Sequence, residues 1–159
     1  MKAINENAPI VCRKNIIILA KPEKIWQILT NIDEWPQWYK GISATKVNGP
    51  IQKGTSFTWK SGKFKINSIL HTVEPFYYFG WTGKALGTTA IHNWILKSTL
   101  DGTEVSTLES MEGWVSRLMK GKLQKTLDIS LTEWLTALKD RCEQQQEDYR
   151  PNIPGIDAL

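Results

Sequence analysis

Cysteine is scarce in this sequence: Cys12 and Cys142 stand near opposite ends of a 159-residue chain, with no Cys-x-x-Cys spacing. Histidine is equally rare, and only His71 and His92 could join them as nitrogen ligands. Neither a metal site nor a cofactor is therefore expected. Long apolar runs are missing as well. Ile16 to Leu19 is far too short to span a bilayer, and the opening MKAINENAPIVCRKN holds no sustained apolar stretch of the secretory kind. A cytoplasmic, reducing location without stable membrane insertion is the expectation. The net charge of +4 is a mild excess, and the basic residues form no polybasic run, so nucleic acid is not an expected partner. Repeats and low-complexity segments are absent too.

What the sequence has in abundance is tryptophan. Eight indoles in a chain of one-domain length imply either a bulky core or an aromatic-lined hollow, since each carries a large apolar surface and one N–H donor. Residues 10–20 are rich in β-branched side chains and stop at Lys21-Pro22, where proline suits a helix start. Ile25, Trp26, Ile28 and Leu29 then recur at helical spacing, and NIDEWPQWYKG adds a second short helical or turn segment. Turn signals at Asn48-Gly49-Pro50, Ser61-Gly62, Glu74-Pro75, Gly83 to Gly87 and Asp101-Gly102 divide residues 43–112 into five or six strands of an antiparallel meander. From Trp114, Leu118, Leu123, Leu127, Leu131, Trp134, Leu135 and Leu138 fall at steps of three to five residues, which predicts one long amphipathic helix to about Cys142 with Gly121 as a weak point. Residues 143–159 have lost that pattern and read as a polar tail. The order is α+β, and the terminal helix is the cover that the sheet's apolar face requires.

The stretch AIHNWIL, residues 90–96, puts an imidazole into apolar company. Strand alternation sets His92, Trp94 and Leu96 on one face. An Asp101-Gly102 hairpin turn places Trp94 opposite Glu109, Leu96 opposite Thr107 and His92 opposite Met111, adding Val105 to the same face. His92 and Glu109 then stand diagonally, about 7 to 8 Å apart at the backbone, within reach directly or through a water. A second histidine, His71, lies on a strand whose apolar parity changes around Ser68 to Leu70. A bulge is possible there, and His71 reads as structural or exposed.

This order of elements, with the strings GTSFTWKSG, EPFYYFGWTGKALGTTAIHNW and DGTEVSTLESMEG, resembles the START-like helix-grip superfamily (SRPBCC), in particular its polyketide cyclase/dehydrase and lipid-transport group. The resemblance covers about residues 10–142, leaving 1–9 as an N-terminal extension and 143–159 as the tail. It implies a curved antiparallel sheet gripping the C-terminal helix, with a cavity between them for a hydrophobic or amphipathic small molecule. Trp59, Trp81, His92, Trp94 and Glu109 match the group's inward-looking strand positions, and Gly54, Gly83, Gly87 and Gly113 its turns. The iron ligands of the superfamily's hydroxylase members are missing from this chain.

The expected ligand-binding residues are Phe57, Trp59, Phe79, Trp81, His92, Trp94, Glu109 and Leu118. The plain alternative for the aromatic stripes is a packed core, and for His92 and Glu109 a satisfied buried pair. No catalytic residue is expected, because no nucleophile or second acid accompanies the pair. Binding, storage or transport of a small molecule is thus the leading function. A cyclase or dehydratase using His92 and Glu109 is the alternative, and a co-chaperone-like interaction module the third. Arg117, Lys120, Lys122 and Lys125, with Lys139 and Arg141, could meet phosphates or an anionic surface, although a solvated helix face explains them more simply.

Overall fold

The computed structural model describes residues 1–147. Its elements are β1 (Ile10–Ile18), α1 (Pro22–Thr30), a 3-10 turn (Ile32–Glu34), α2 (Trp35–Trp38), β2 (Ile42–Val47), β3 (Ser56–Ser61), β4 (Phe64–Glu74), β5 (Tyr78–Ala85), β6 (Thr88–Thr99), β7 (Gly102–Gly113), α3 (Trp114–Leu118) and α4 (Lys120–Glu147). The seven strands form one antiparallel sheet in the order β1-β7-β6-β5-β4-β3-β2. The sheet curves around α4 in a helix-grip fold.

α1 starts on Pro22, which needs no amide partner at that position, and Glu23 in its first turn complements the helix dipole. Ile25 and Leu29, four residues apart, are both fully buried. The chain then turns back so that the Trp35 indole donates to the Leu29 carbonyl at 2.9 Å, which drives Trp35 into the core. There it joins Ile18, Phe57, Leu70, Phe79, Trp81, Trp94, Trp134 and Leu138 in one apolar cluster. A smaller cluster of Ile10, Cys12, Leu127 and Leu131 closes the other part of the grip.

The predicted single helix from residue 114 is two helices. Met119, at φ −112° and ψ 26°, ends α3, two residues before Gly121. Leu118 precedes Leu123 by five residues, a step that leaves it well off the leucine stripe at 3.6 residues per turn. It points to solvent, 77% exposed. From Leu123 the stripe holds: Leu127, Leu131, Trp134, Leu135 and Leu138 are buried against the sheet side. α4 also runs past Cys142, so residues 143–147 are helical, and the rest of the expected tail, 148–159, lies outside the described residues.

α4 does more than cover the sheet. Gln124 bonds the backbone of edge strand β1 twice, donating to the Val11 carbonyl at 3.0 Å and accepting from its amide at 3.4 Å. Further along, Lys139 donates to the Ile17 carbonyl at 2.8 Å, and Glu143 accepts from the Leu19 amide at 2.8 Å while pairing with Lys139.

The N-terminal extension lies on the opposite, convex face. Asn93 donates to the Lys2 carbonyl at 2.8 Å, the Asn5 amide donates to Ser110 at 3.0 Å, and the Asn5 side chain donates to Glu112 at 2.7 Å. Ile4 is buried beneath it. The β4 irregularity falls between Leu70 and Thr72, so His71 is itself the bulged residue.

Candidate functional site

The β6–β7 hairpin turns on Leu100 and Asp101, pairing Thr99 with Gly102, rather than on Asp101 and Gly102 as predicted. Gly102 serves another purpose: at φ +149°, a side chain there would collide with the Ile18 carbonyl of β1. The register is therefore shifted by two residues, which preserves every inward-facing side chain and changes only the partners. His92 sits directly across from Glu109, and Trp94 across from Thr107.

That register builds a saturated polar pair inside an aromatic wall. His92 Nδ1 lies 2.7 Å from Glu109 Oε2, and Nε2 lies 2.8 Å from Thr107 Oγ1. A neutral imidazole suits this as well as an imidazolium does, because a hydroxyl can donate to Nε2 or accept from it. The ring stacks between Trp81 at 4.4 Å and Trp94 at 5.5 Å, with Trp134 edge-on at 5.3 Å. His92 is 2% exposed, whereas the Glu109 side chain keeps 12%. The carboxylate is thus the polar group of the pair that reaches open space.

The open space is a cleft of about 130 Å³ between β3, β4, β7 and α4, with Tyr39, Trp59, Glu109, Met111, Leu123 and Trp134 among its walls. Tyr39 stacks on Trp134 at 5.2 Å and its hydroxyl bonds the Ser130 carbonyl at 3.2 Å. Burial, with the nearby Glu133 and then Glu109 carboxylates, pushes the Tyr39 phenol up to about 12. It therefore stays neutral. The Trp59 indole is tied to Ser68 at 3.1 Å. Two wider depressions, of about 580 and 600 Å³, lie on the outer surface and are open to solvent. Neither contains a buried ionisable pair.

Of the residues expected to bind a ligand, Trp59 and Glu109 line this cleft. Phe57, Phe79, Trp81, His92 and Trp94 lie behind it in the packed core, and Leu118 is outside the grip altogether. Trp134 explains the division. From α4 it contacts Trp35, Trp59, Trp81, His92 and Trp94 in addition to Tyr39, so one indole fills the deep end of the hollow. Its place on the leucine stripe was visible in the sequence, but its reach across the sheet was not. Tyr39, Ser61 and Ser130 carried no periodic signal.

Chemically, the cleft offers one hydrogen-bond-accepting carboxylate amid mainly aromatic and aliphatic walls, with Ser61, Thr126 and Ser130 among them. Burial raises the Cys142 thiol to about 12, and burial followed by the nearby Asp128 carboxylate raises Cys12, so neither is primed as a nucleophile. Among the described residues no group of three His, Cys, Asp or Glu side chains is placed to hold a metal ion, and no helix is long and apolar enough to cross a membrane.

Comparison with known proteins agrees with this architecture. A hypothetical protein of Helicobacter pylori, jhp0584, superposes with a TM-score of 0.78 at 16% identity, over 89% of this chain and 97% of that one. The di-domain ARO/CYC StfQ from the steffimycin biosynthetic pathway gives 0.75 at 12% identity, over 87% of this chain and 52% of that one. A START superfamily protein from Mycobacterium smegmatis gives 0.67 at 12% identity, over 85% and 98%. At such identities these likenesses show the fold alone, and no curated protein matches the chain. The family model described as polyketide cyclase / dehydrase and lipid transport, however, matches residues 10–143, nearly the whole of the described fold, and the chain belongs to that family.

Proposed function

We propose that this protein binds a hydrophobic or amphipathic small molecule whose polar end meets Glu109 in the cleft under α4. The observation that carries the reading is a carboxylate held at 2.7 Å by a buried imidazole, the one charged group in the wall of a cleft whose other sides are mainly aromatic and aliphatic with a few hydroxyls. Leaving such a carboxylate beside apolar surface costs free energy unless partners meet it, and the pair with His92 meets that cost on one oxygen. A ligand that donates a hydrogen bond through a hydroxyl, amide or ammonium group would serve the other. A volume of about 130 Å³ resembles a benzene-sized cavity, so it suits one ring or one head group, with any longer tail extending from the mouth.

Binding without turnover is the better-supported reading. Both nitrogens of His92 are already engaged, no second carboxyl lines the cleft, and the Tyr39 phenol is committed to the Ser130 carbonyl, so general acid–base chemistry lacks a free partner. The free, buried thiols of Cys12 and Cys142 suit the reducing cytoplasm in which we place the protein. Titration of indole emission with an aminonaphthalene and with plain naphthalene tests the reading. The amine is expected to bind more tightly, and Glu109→Gln to weaken it about tenfold, the loss of one good polar contact, while sparing naphthalene. Binding of neither probe by the parent would overturn the proposal, and conversion of a polyketide-like substrate would favour the cyclase instead.

A further inference from the structure

At one end of the grip, three separate elements expose large apolar side chains. Phe64 at the β3–β4 hairpin is 53% exposed, Leu86 at the β5–β6 turn 66%, and Trp114 on α3 68%, with Leu118 beside it. The arrangement is built rather than frayed. Leu86 stands at φ +43°, a backbone state that costs a leucine free energy, and the Trp114 indole lies across Gly87, where any side chain would collide with it. Phe64 and Leu86 share the rim of the open depression of about 580 Å³.

The charge around these tips is predominantly positive. Lys63, Lys65, Lys84, Arg117, Lys120 and Lys122 are all exposed, and no ion pair engages any of them among the described residues. Residues 35–73, 75–100 and 113–127 contain no Asp or Glu at all. Glu109 is paired with His92 on the concave face, which leaves Glu112, accepting from the neutral Asn5 side chain, as the one carboxylate next to α3 among the described residues. The opposite end of the sheet also exposes apolar groups, Tyr77 at 63% and Leu100 at 105%. There, however, Glu74, Asp101 and Glu104 stand beside Lys97. Apolar exposure is common to both ends, and only the first end is predominantly basic.

From this we infer that the end carrying Phe64, Leu86 and Trp114 docks peripherally on an anionic phospholipid bilayer, with the three side chains entering the interface and the basic rim facing the lipid phosphates. Isolated tips projecting from two turns and a helix start suit a soft surface better than a protein groove, and basic residues near an anionic leaflet add attraction that salt screens. The same end holds Ser61, Ile66 and Leu123 of the cleft wall, so docking would bring the cleft close to the membrane. The inference does not depend on what the cleft binds.

Co-sedimentation with vesicles tests it. The parent protein should bind phosphatidylcholine vesicles containing about 30% phosphatidylserine at least about tenfold more tightly than pure phosphatidylcholine, and about 0.5 M salt should release it. Trp114→Ser with Leu86→Ser should lower binding several-fold, and Lys63→Glu with Lys120→Glu should abolish it. Leu100→Ser, at the mixed-charge end, should change nothing. Circular dichroism checks that each variant is folded. Equal or absent binding to the two vesicle types, undiminished binding of the charge-reversed variant, or an equal loss in Leu100→Ser would overturn the inference. An acidic protein partner would be indicated if the charge-reversed variant lost that partner while the parent ignored vesicles.

Discussion

Neighbouring residues on β6 meet opposite treatment on the two faces of the sheet. On the concave side both ring nitrogens of His92 have partners and its ring is stacked between two indoles. On the convex side Asn93, 1% exposed, donates to Lys2, yet its Oδ1 has no protein partner among the described residues. Nearby His71 bonds Thr72 through Nδ1 and leaves Nε2 equally unmet. Gly80 lets these two groups approach, since a side chain there would strike both. On the concave face the ionisable group is satisfied from within the sheet, and the buried Trp94 and Trp134 indole N–H groups, left without a protein partner there among the described residues, do not titrate. The convex face is a looser layer, held by the N-terminal segment. Stability should therefore reside in the first face and pH sensitivity in the second.

The largest effect should come from Trp134→Ala, which empties the deep end of the grip. About 3 to 5 kcal/mol should be lost in urea unfolding, and the cleft should enlarge toward His92. His92→Phe should come next. With both nitrogens engaged, this change strands the buried Thr107 hydroxyl and the Glu109 carboxylate, so a loss of about 2 to 3 kcal/mol is expected. A variant as stable as the parent would mean that the concave pair is not what braces that face.

The convex face should show itself through pH. Burial, with Lys2 next, lowers the His71 pKa from 6.5 to about 4, so the unfolded chain takes up this proton before the folded one does. The contribution is constant above pH 6.5 and declines as pH falls toward 4, where the folded form also protonates. Melting temperature against pH should carry that slope, and His71→Gln should flatten it. Smallest of all, Asn5→Ala removes the bond to Glu112 and should cost about 1 kcal/mol, loosening the N-terminal segment without touching probe binding in the cleft.

Much of this was legible because strand alternation survives errors of register. The hairpin turn was misplaced by a glycine that answers to β1 rather than to the turn, yet a shift of two kept His92, Trp94, Thr107 and Glu109 on one face. The grip itself was legible from element order and from the stripe Leu123 to Leu138. Leu118 was misplaced because a five-residue step was accepted as part of the stripe. The extent of the cleft was not legible, because spacing shows which way Trp134 points and not how much of the hollow it fills. The basic end was hidden for a related reason: its apolar tips belong to elements far apart in sequence, and only the fold assembles them beside the basic residues.

The clasp between α4 and β1 has a consequence beyond the monomer. An edge strand offers a row of unpaired amides and carbonyls to any other chain that arrives in extended form. Here Gln124, Lys139 and Glu143 occupy that row, so a helix stands in for the missing neighbour strand and mimics its hydrogen bonds with side chains. Damage to these three polar residues would leave the aromatic interior intact and surface first as self-association, with copies of the chain stitching together along β1.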